Sequence, residues 1–484
     1  MYRTNLINLA ISYTGLFLGL FNTFIKPKVF TSEEIGIFST IVSMTLILKL
    51  ITESGLSSVI MRYYPVYKNR ASKCRFVLSV TVISYAILGF FILLLFLSKG
   101  LLSSYYGNSS IEDYFFLLPS FLFLSHGLDI TERFSKVLFV SVKSNIIRNI
   151  YFKAANGAFL FYMLFSHITL KSYFVFFIII NTITFLMMLK LIIPALKIKP
   201  VLSDLIPDLS LLKNFKTYAF FMMISAFSAT MVSNIDRIMI GHYLDFSKTG
   251  IYTISAALAG TLIIIFNSFA RTAQPKLSEL VQYERFDDVK NIYRENLYDN
   301  LHFGIALFVV LAVFSHDILH IFGTEYKEGV PVIVLLAFGQ LLNISSGMCG
   351  EIISLSGFYK FDFYSRIGLI IVVVISNSVF IPEYGITGAA IATAFNILIY
   401  SGLKIYYAFS KFGIHPFTAR SASFYIAGSF AAVLMTYAKP LAENNITGIF
   451  VVSAAGFFIY DVILGTVLKY KNSVIIRIIR KTGR

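Results

Sequence analysis

The chain has 484 residues, 57% of them hydrophobic and only 14% charged, with a formal charge of +16 and a mean hydropathy of +0.76. A soluble globular domain carries about 25% charged residues, so a water-soluble fold is excluded; a bilayer, itself an apolar solvent, accommodates this much apolar surface. The basic residues lie between hydrophobic segments, which ties the positive charge to membrane topology and anionic lipid rather than to nucleic acid.

A helix needs about 20 mostly apolar residues to cross hydrocarbon. Spans are expected at 5–25, 35–60, 76–97, 115–139, 147–165 and 173–193, and after a linker at 218–240, 250–270, 301–322, 330–355, 366–381 and 386–409. Two more follow, at 421–438 and 446–468. The expected fold is therefore all-α and polytopic, with about fourteen transmembrane helices. The expected divisions are an N-lobe (1–196), a cytoplasmic linker (197–217), a C-lobe (218–410), and an appended helix pair with a basic tail (411–484). Residues 1–25 hold one basic residue and no small-residue cleavage site, so they read as a spanning helix rather than a removable signal.

Charge orients the map. With both ends inside, 30 of the 41 Lys and Arg fall on inside segments and 7 on outside ones, the asymmetry expected of cytoplasmic loops. Outside loops reach about 17 residues at most, the longest being 98–114. Inside, 275–300 places Leu277, Leu280, Val281, Val289 and Ile292 at helical spacing, which predicts an amphipathic helix on the cytoplasmic face. The tail, 469–484, alternates basic and aliphatic residues and is expected on the membrane surface. Cys74 and Cys349 have neither metal-ligand spacing nor the density of a disulfide framework; both fall on the expected cytoplasmic side, where thiols stay reduced.

Topology leaves four cations unexplained within spans: Lys49, Arg133, Lys153 and Arg237. Intramembrane charges mark functional sites by default. The competing reading is local neutralisation, because Lys49 and Glu53, Asp129 and Arg133, and Glu132 and Lys136 are each four residues apart on one helix. The acids Glu53, Asp129, Glu132, Asp236 and Glu351, with His126, are candidates for ion coupling or for charge pairing. Asp461 has no role in this reading. The 49 Phe and 29 Tyr include Tyr63, Tyr64, Tyr105 and Tyr106 at expected interfaces. Gly388, Ala389, Ala390 and Ala392 suit close helix packing. No phosphate-binding glycine loop, catalytic constellation or metal-ligand spacing is present in the sequence.

The chain also carries an internal echo. Ile35-Gly36-Ile37-Phe38-Ser39 matches Thr249-Gly250-Ile251-Tyr252-Thr253 at an offset of 214 residues, each opening a span after an outside loop. Repeated lobes are a common transporter plan.

Three stretches carry a family resemblance: Ser233-Asn234-Ile235-Asp236-Arg237-Ile238-Met239-Ile240-Gly241 followed by Thr249-Gly250-Ile251-Tyr252, Gln274-Pro275-Lys276-Leu277-Ser278, and Pro382 to Thr393. They resemble the polysaccharide-biosynthesis flippases of the multidrug/oligosaccharidyl-lipid/polysaccharide exporter superfamily, nearest the Wzx-type O-antigen and capsule repeat-unit flippases and more distantly the lipid II flippase. The resemblance implies an oligosaccharide on a polyprenyl pyrophosphate as cargo, moved by alternating access across the bacterial inner membrane. It implies no enzymatic step and no cofactor beyond a proton or sodium gradient. Lipopolysaccharide or capsule polymerases and glycosyltransferases are the implied partners, besides membrane lipid. Such a cargo needs counter-charges within the membrane, and Lys49, Arg237, Arg133 and Lys153 are the cations available. Two rival readings stay open: an ion-coupled multidrug exporter, which would favour an acidic cavity, and a membrane-embedded polymerase or glycosyltransferase, which would need larger outside loops.

Overall fold

The computed structural model describes residues 2–67, 69–107, 112–166, 168–196, 209–442, 445–467 and 470. Most of the expected linker, at 197–208, and the basic tail beyond Tyr470 lie outside the described residues. Among the described residues the chain is helical, with no β-strand. It divides into two compact units, Met1–Gly250 and Ile251–Arg484.

In the first unit α1 (Tyr2–Val29), α2 (Ser32–Glu53), α3 (Leu56–Tyr63), α4 (Arg70–Leu97) and α5 (Lys99–Tyr106) precede α6 (Leu117–Val137). The short α7 (Ser141–Asn145) continues through a π-helical turn, Ile146–Tyr151, into α8 (Phe152–Met163). Then come α9 (Leu170–Leu196), α10 (Leu209–Tyr243) and α11 (Phe246–Ala259), which runs across the unit boundary. The second unit continues with α12 (Thr261–Gln282), α13 (Phe286–His320), α14 (Val330–Ser345), α15 (Cys349–Leu355) and α16 (Tyr359–Phe412). It closes with α17 (Ala419–Ala438) and α18 (Ile446–Val462), the latter passing into a second π-helical turn, Ile463–Val467.

Ten helical stretches among the described residues are long and apolar enough to cross a membrane. The expected eleventh and twelfth spans form one of them, α16, broken only at Gly385, where φ is 60° and ψ −141°. The expected fourth span, α6, is not among the ten, because its second half carries Asp129, Glu132, Arg133 and Lys136. The segment expected as one amphipathic helix is instead the end of α12 and the start of α13. Its Leu277, Leu280, Val281 and Val289 are buried within the protein, which accounts for the helical spacing without a membrane surface.

Two features place α2. Thr31 caps its N-terminus in a reciprocal capping box, its hydroxyl accepting from the Glu34 amide at 3.3 Å while the Glu34 carboxylate accepts from the Thr31 amide at 3.0 Å. At the other end Ser54 and Gly55 both take left-handed conformations and break the chain before α3. A Cβ added at Gly55 would lie 2.0 Å from the Ala219 carbonyl oxygen, so only glycine lets α10 pass this close. Beneath the break lies a core that joins α3, α4, α6, α9 and α10, with Val59, Ile60, Phe76, Val80 and Phe215 all at most 1% exposed.

The repeated motif pairs with itself. A Cβ at Gly36 would sit 1.7 Å from the Phe246 carbonyl oxygen, and one at Gly250 would sit 1.8 Å from the Ser32 carbonyl oxygen. Phe246 precedes Gly250 by the same four residues by which Ser32 precedes Gly36, so the contact is reciprocal. The Ser32 and Ser247 hydroxyls meet across it at 2.8 Å. Gly36→Val or Gly250→Val forces these backbones apart, with an overpacking cost of about 1–3 kcal/mol. In a chain lacking the native cysteines, Ser32→Cys and Ser247→Cys are expected to cross-link on mild oxidation, and either valine to lower the yield at least about fivefold at that cost; undiminished cross-linking would show that the glycines are dispensable.

Candidate functional site: a carboxylate-bridged chain of cations

Three elements of the first unit bring the site together. Helix α2 supplies Lys49 near its C-terminal end, α6 supplies Asp129, Glu132 and Lys136, and the π-helical turn supplies Arg148. On α6, Asp129, Glu132 and Lys136 follow one another at three- and four-residue steps and share a face. The wider π turn re-aims its side chains relative to α8, and such turns recur at functional sites.

The groups form one unbroken chain of ion pairs. Lys49 Nζ lies 2.5 Å from Asp129 Oδ2, and the Arg148 guanidinium lies 2.8 Å from Asp129 Oδ1. The same guanidinium donates to Glu132 Oε2, and Glu132 Oε1 accepts from Lys136 Nζ at 2.6 Å. Three cations against two carboxylates leave one net positive charge along it. Side-chain exposure rises from 12% at Lys49 through 29% at Arg148 to 34% at Lys136, so an anion has access from the Lys136 end. Arg148 is the arm best suited to a phosphate, since its planar fork holds two oxygens at once.

Of the intrahelical pairs expected from spacing, Glu132 with Lys136 forms. Lys49 instead reaches across to Asp129, and Asp129 also takes Arg148 rather than Arg133. The physical reason is reach: a long side chain in a helix bundle meets a carboxylate on the facing helix as readily as one four residues along its own. Glu53, 3% exposed, keeps one carboxylate oxygen, Oε1, without a hydrogen-bond partner among the described residues. Arg133 makes no hydrogen bond or ion pair among the described residues.

The remaining candidates lie elsewhere. His126 is fully buried, its Nδ1 3.1 Å from the Thr52 hydroxyl and its Nε2 2.7 Å from the Ser84 hydroxyl, an arrangement that fits a satisfied core histidine. Lys153 donates to the Gly15 carbonyl of α1 at 2.9 Å. Arg237 folds back on α10, donating to the Ser233 carbonyl at 3.3 Å and to Asn234 Oδ1 at 3.2 Å, while Asp236 is buried at 4% exposure. Glu351 belongs to the second unit, which has a polar group of its own: Lys404 Nζ donates to Asn343 Oδ1 at 3.2 Å, and Asp362 accepts from Arg366 at 2.9 Å and from the Tyr400 hydroxyl at 2.7 Å.

Arg148 is the residue that charge counting missed. The topological count assigns it to an inside loop, yet it falls within the expected span 147–165. That double placement was the available signal. Asp129 is the bridge on which two cations depend. Asp129→Asn leaves Lys49 and Arg148 short of a partner and is expected to lower unfolding stability by about 3 kcal/mol, with much of it restored in Lys49→Met/Asp129→Leu. Denaturant unfolding of the purified chain checks this, and a loss below about 0.5 kcal/mol would mean the pairs are screened by water.

A family model described as polysaccharide biosynthesis protein matches residues 28–331. The capsular polysaccharide biosynthesis protein CapF of Staphylococcus aureus is 26% identical over 191 residues, 38% of this chain and 48% of that protein. The probable low-salt glycan biosynthesis flippase Agl15 of Haloferax volcanii is 24% identical over 251 residues, 51% of this chain and 52% of that protein. The chain thus spans about half the length of these curated relatives. Among solved structures, the lipid II flippase MurJ in an inward closed conformation superposes with a TM-score of 0.74 at 15% identity, covering 97% of this chain and 100% of that one. At that identity the likeness is one of fold, and with ten helical stretches among the described residues able to cross a membrane the chain is a multi-pass membrane protein. The family match covers well over half of the sequence: the chain belongs to the polysaccharide biosynthesis protein family.

Proposed function

We propose that the protein is a flippase that moves polyprenyl-pyrophosphate-linked oligosaccharide repeat units across the bacterial cytoplasmic membrane, for O-antigen or capsule synthesis. The observation that carries the reading is the net-positive chain from Lys49 through Asp129, Arg148 and Glu132 to Lys136, set within the helices of a membrane transporter fold.

The chemistry follows from the cost of charge. A pyrophosphate brings roughly two negative charges into an apolar medium, which is prohibitive without counter-charges. Unpaired cations waiting there would be equally costly. Asp129 and Glu132 remove that cost while the site is empty. When cargo arrives, phosphate oxygens replace the carboxylates as partners of Lys49 and Arg148. The excess positive charge offsets one of the two phosphate charges, and the exchange balances only if the Asp129 carboxylate, stripped of both its cations, takes up a proton or reaches water. The sugar follows as a passenger. The lobes 1–196 and 218–410 alternate access by rocking, with 411–484 as an appendage. Cargo is carried unchanged, with polymerase and glycosyltransferases acting on either side of the step.

Complementation in a host deleted for its own repeat-unit flippase tests the reading. Lys49→Ala and Arg148→Ala are each expected to cut surface polymer more than about tenfold at normal protein level, as loss of one charged phosphate contact implies. Lys49→Arg is expected to retain most of it. Wild-type polymer in both alanine variants would exclude the ion chain as the cargo site.

A further inference from the structure

Two charged groups beside the ion chain take no part in it. Glu53, the last residue of α2, is 3% exposed; it accepts from the Ser57 hydroxyl and keeps Oε1 without a hydrogen-bond partner among the described residues. Arg133, half-buried on α6, makes no hydrogen bond or ion pair among the described residues. Both stand within electrostatic reach of the chain, since the Glu53 charge interacts with Asp129, Lys49 and Arg133. A carboxylate and a guanidinium left unmatched in an apolar setting cost free energy in the empty protein and return nothing there.

Their positions are those of a second set of partners. Glu53 follows Lys49 by four residues on α2, and Arg133 follows Asp129 by four on α6. Such pairs share a helix face, with Cβ atoms about 5–6 Å apart. Lys49 and Asp129 meet each other between the helices at 2.5 Å, and each has an unused partner of opposite sign one turn along its own helix.

We propose that the ion chain has two pairings, and that Glu53 and Arg133 are the reserve partners that make the second one possible. In the first, Lys49 and Arg148 share Asp129, as the structure shows. In the second, Lys49 turns to Glu53 and Asp129 turns to Arg133. Each change is a side-chain rotation, and no ion is left alone. Lys136 holds Glu132 in both pairings, and Arg148 keeps Glu132 while giving up Asp129. The vacated part of the Arg148 fork is then open to an oxyanion. The Lys49–Asp129 pair, which ties α2 to α6, is cut by the same step. A direct exchange with phosphate strips Asp129 of both cations, whereas re-pairing first does not. Lys49, with three N–H donors, holds Glu53 and still reaches a phosphate oxygen. That the opened fork serves cargo rests on the transport reading above; the re-pairing does not need cargo to be detected.

Denaturant unfolding of the purified full chain, without cargo, tests the second pairing through non-additivity. Arg133→Met and Glu53→Gln remove groups unmatched in the first pairing, and each alone is expected to leave the unfolding midpoint unchanged or raised. Arg148→Gln vacates one oxygen of Asp129, and in that background Arg133→Met is expected to raise the unfolding constant about tenfold. Asp129→Asn releases Lys49, and in that background Glu53→Gln is expected to do the same. Should a background fail to fold, Lys49→Met vacates the other Asp129 oxygen and Asp129→Leu releases Lys49 equally. In the complementation host each single variant is expected to cut surface polymer about tenfold while keeping its stability, a split that a structural role does not give. Additivity in either background overturns the proposal, as does wild-type polymer in both single variants. Non-additivity with no complementation by the wild-type chain removes only the transport reading. Additivity with successful complementation removes only the second pairing.

Discussion

A charge inside an apolar slab is costly unless another charge answers it, and a chain of five ions in the first unit meets that constraint. Lys49, Asp129, Arg148, Glu132 and Lys136 are each held by an opposite charge, across three separate elements. Any one element alone would present an unpaired ion to hydrocarbon, at a cost of several kcal/mol. Together they are stable, and they retain a single excess positive charge.

The ion chain depends in turn on where α2 sits, and glycine decides that at both ends of the helix. Gly36 lets the start of α2 touch the backbone at Phe246, and Gly55 lets the break after α2 touch the backbone at Ala219. Lys49 lies between these two anchors, so its reach to Asp129 is set by backbone approaches that any side chain would block. The π-helical turn does the corresponding work for Arg148, shifting it relative to the α8 surface that follows. Close approach and a locally widened helix are thus the means by which a bundle of apolar helices aims a few polar atoms.

The second unit carries a polar group of different chemistry. At the repeat offset of 214 residues, Asn343 stands where Asp129 does and Asp362 where Arg148 does. The group there is correspondingly different, with Lys404 resting on a neutral amide and Arg366 on a carboxylate of its own helix. The appended pair adds a further buried contact, His302 with Asp461, which gives Asp461 the partner that the sequence alone does not identify.

What the sequence determined by itself was whatever depends on composition and period. Helicity follows because hydrocarbon leaves backbone groups no partner outside the helix. The family follows from motifs of local spacing, the stretch around Ser233 to Gly241 among them, and the repeat shows in the five residues around Gly36 and Gly250. Subtracting topological charge also singled out Lys49, which stands at one end of the ion chain. Tertiary structure alone decided the partners. Lys49 had Glu53 four residues away in sequence and takes Asp129 instead, and Arg148, filed with the loop, became the centre of the chain. Pairing between helices depends on which faces meet and at what height, and neither is written in the spacing of any one helix.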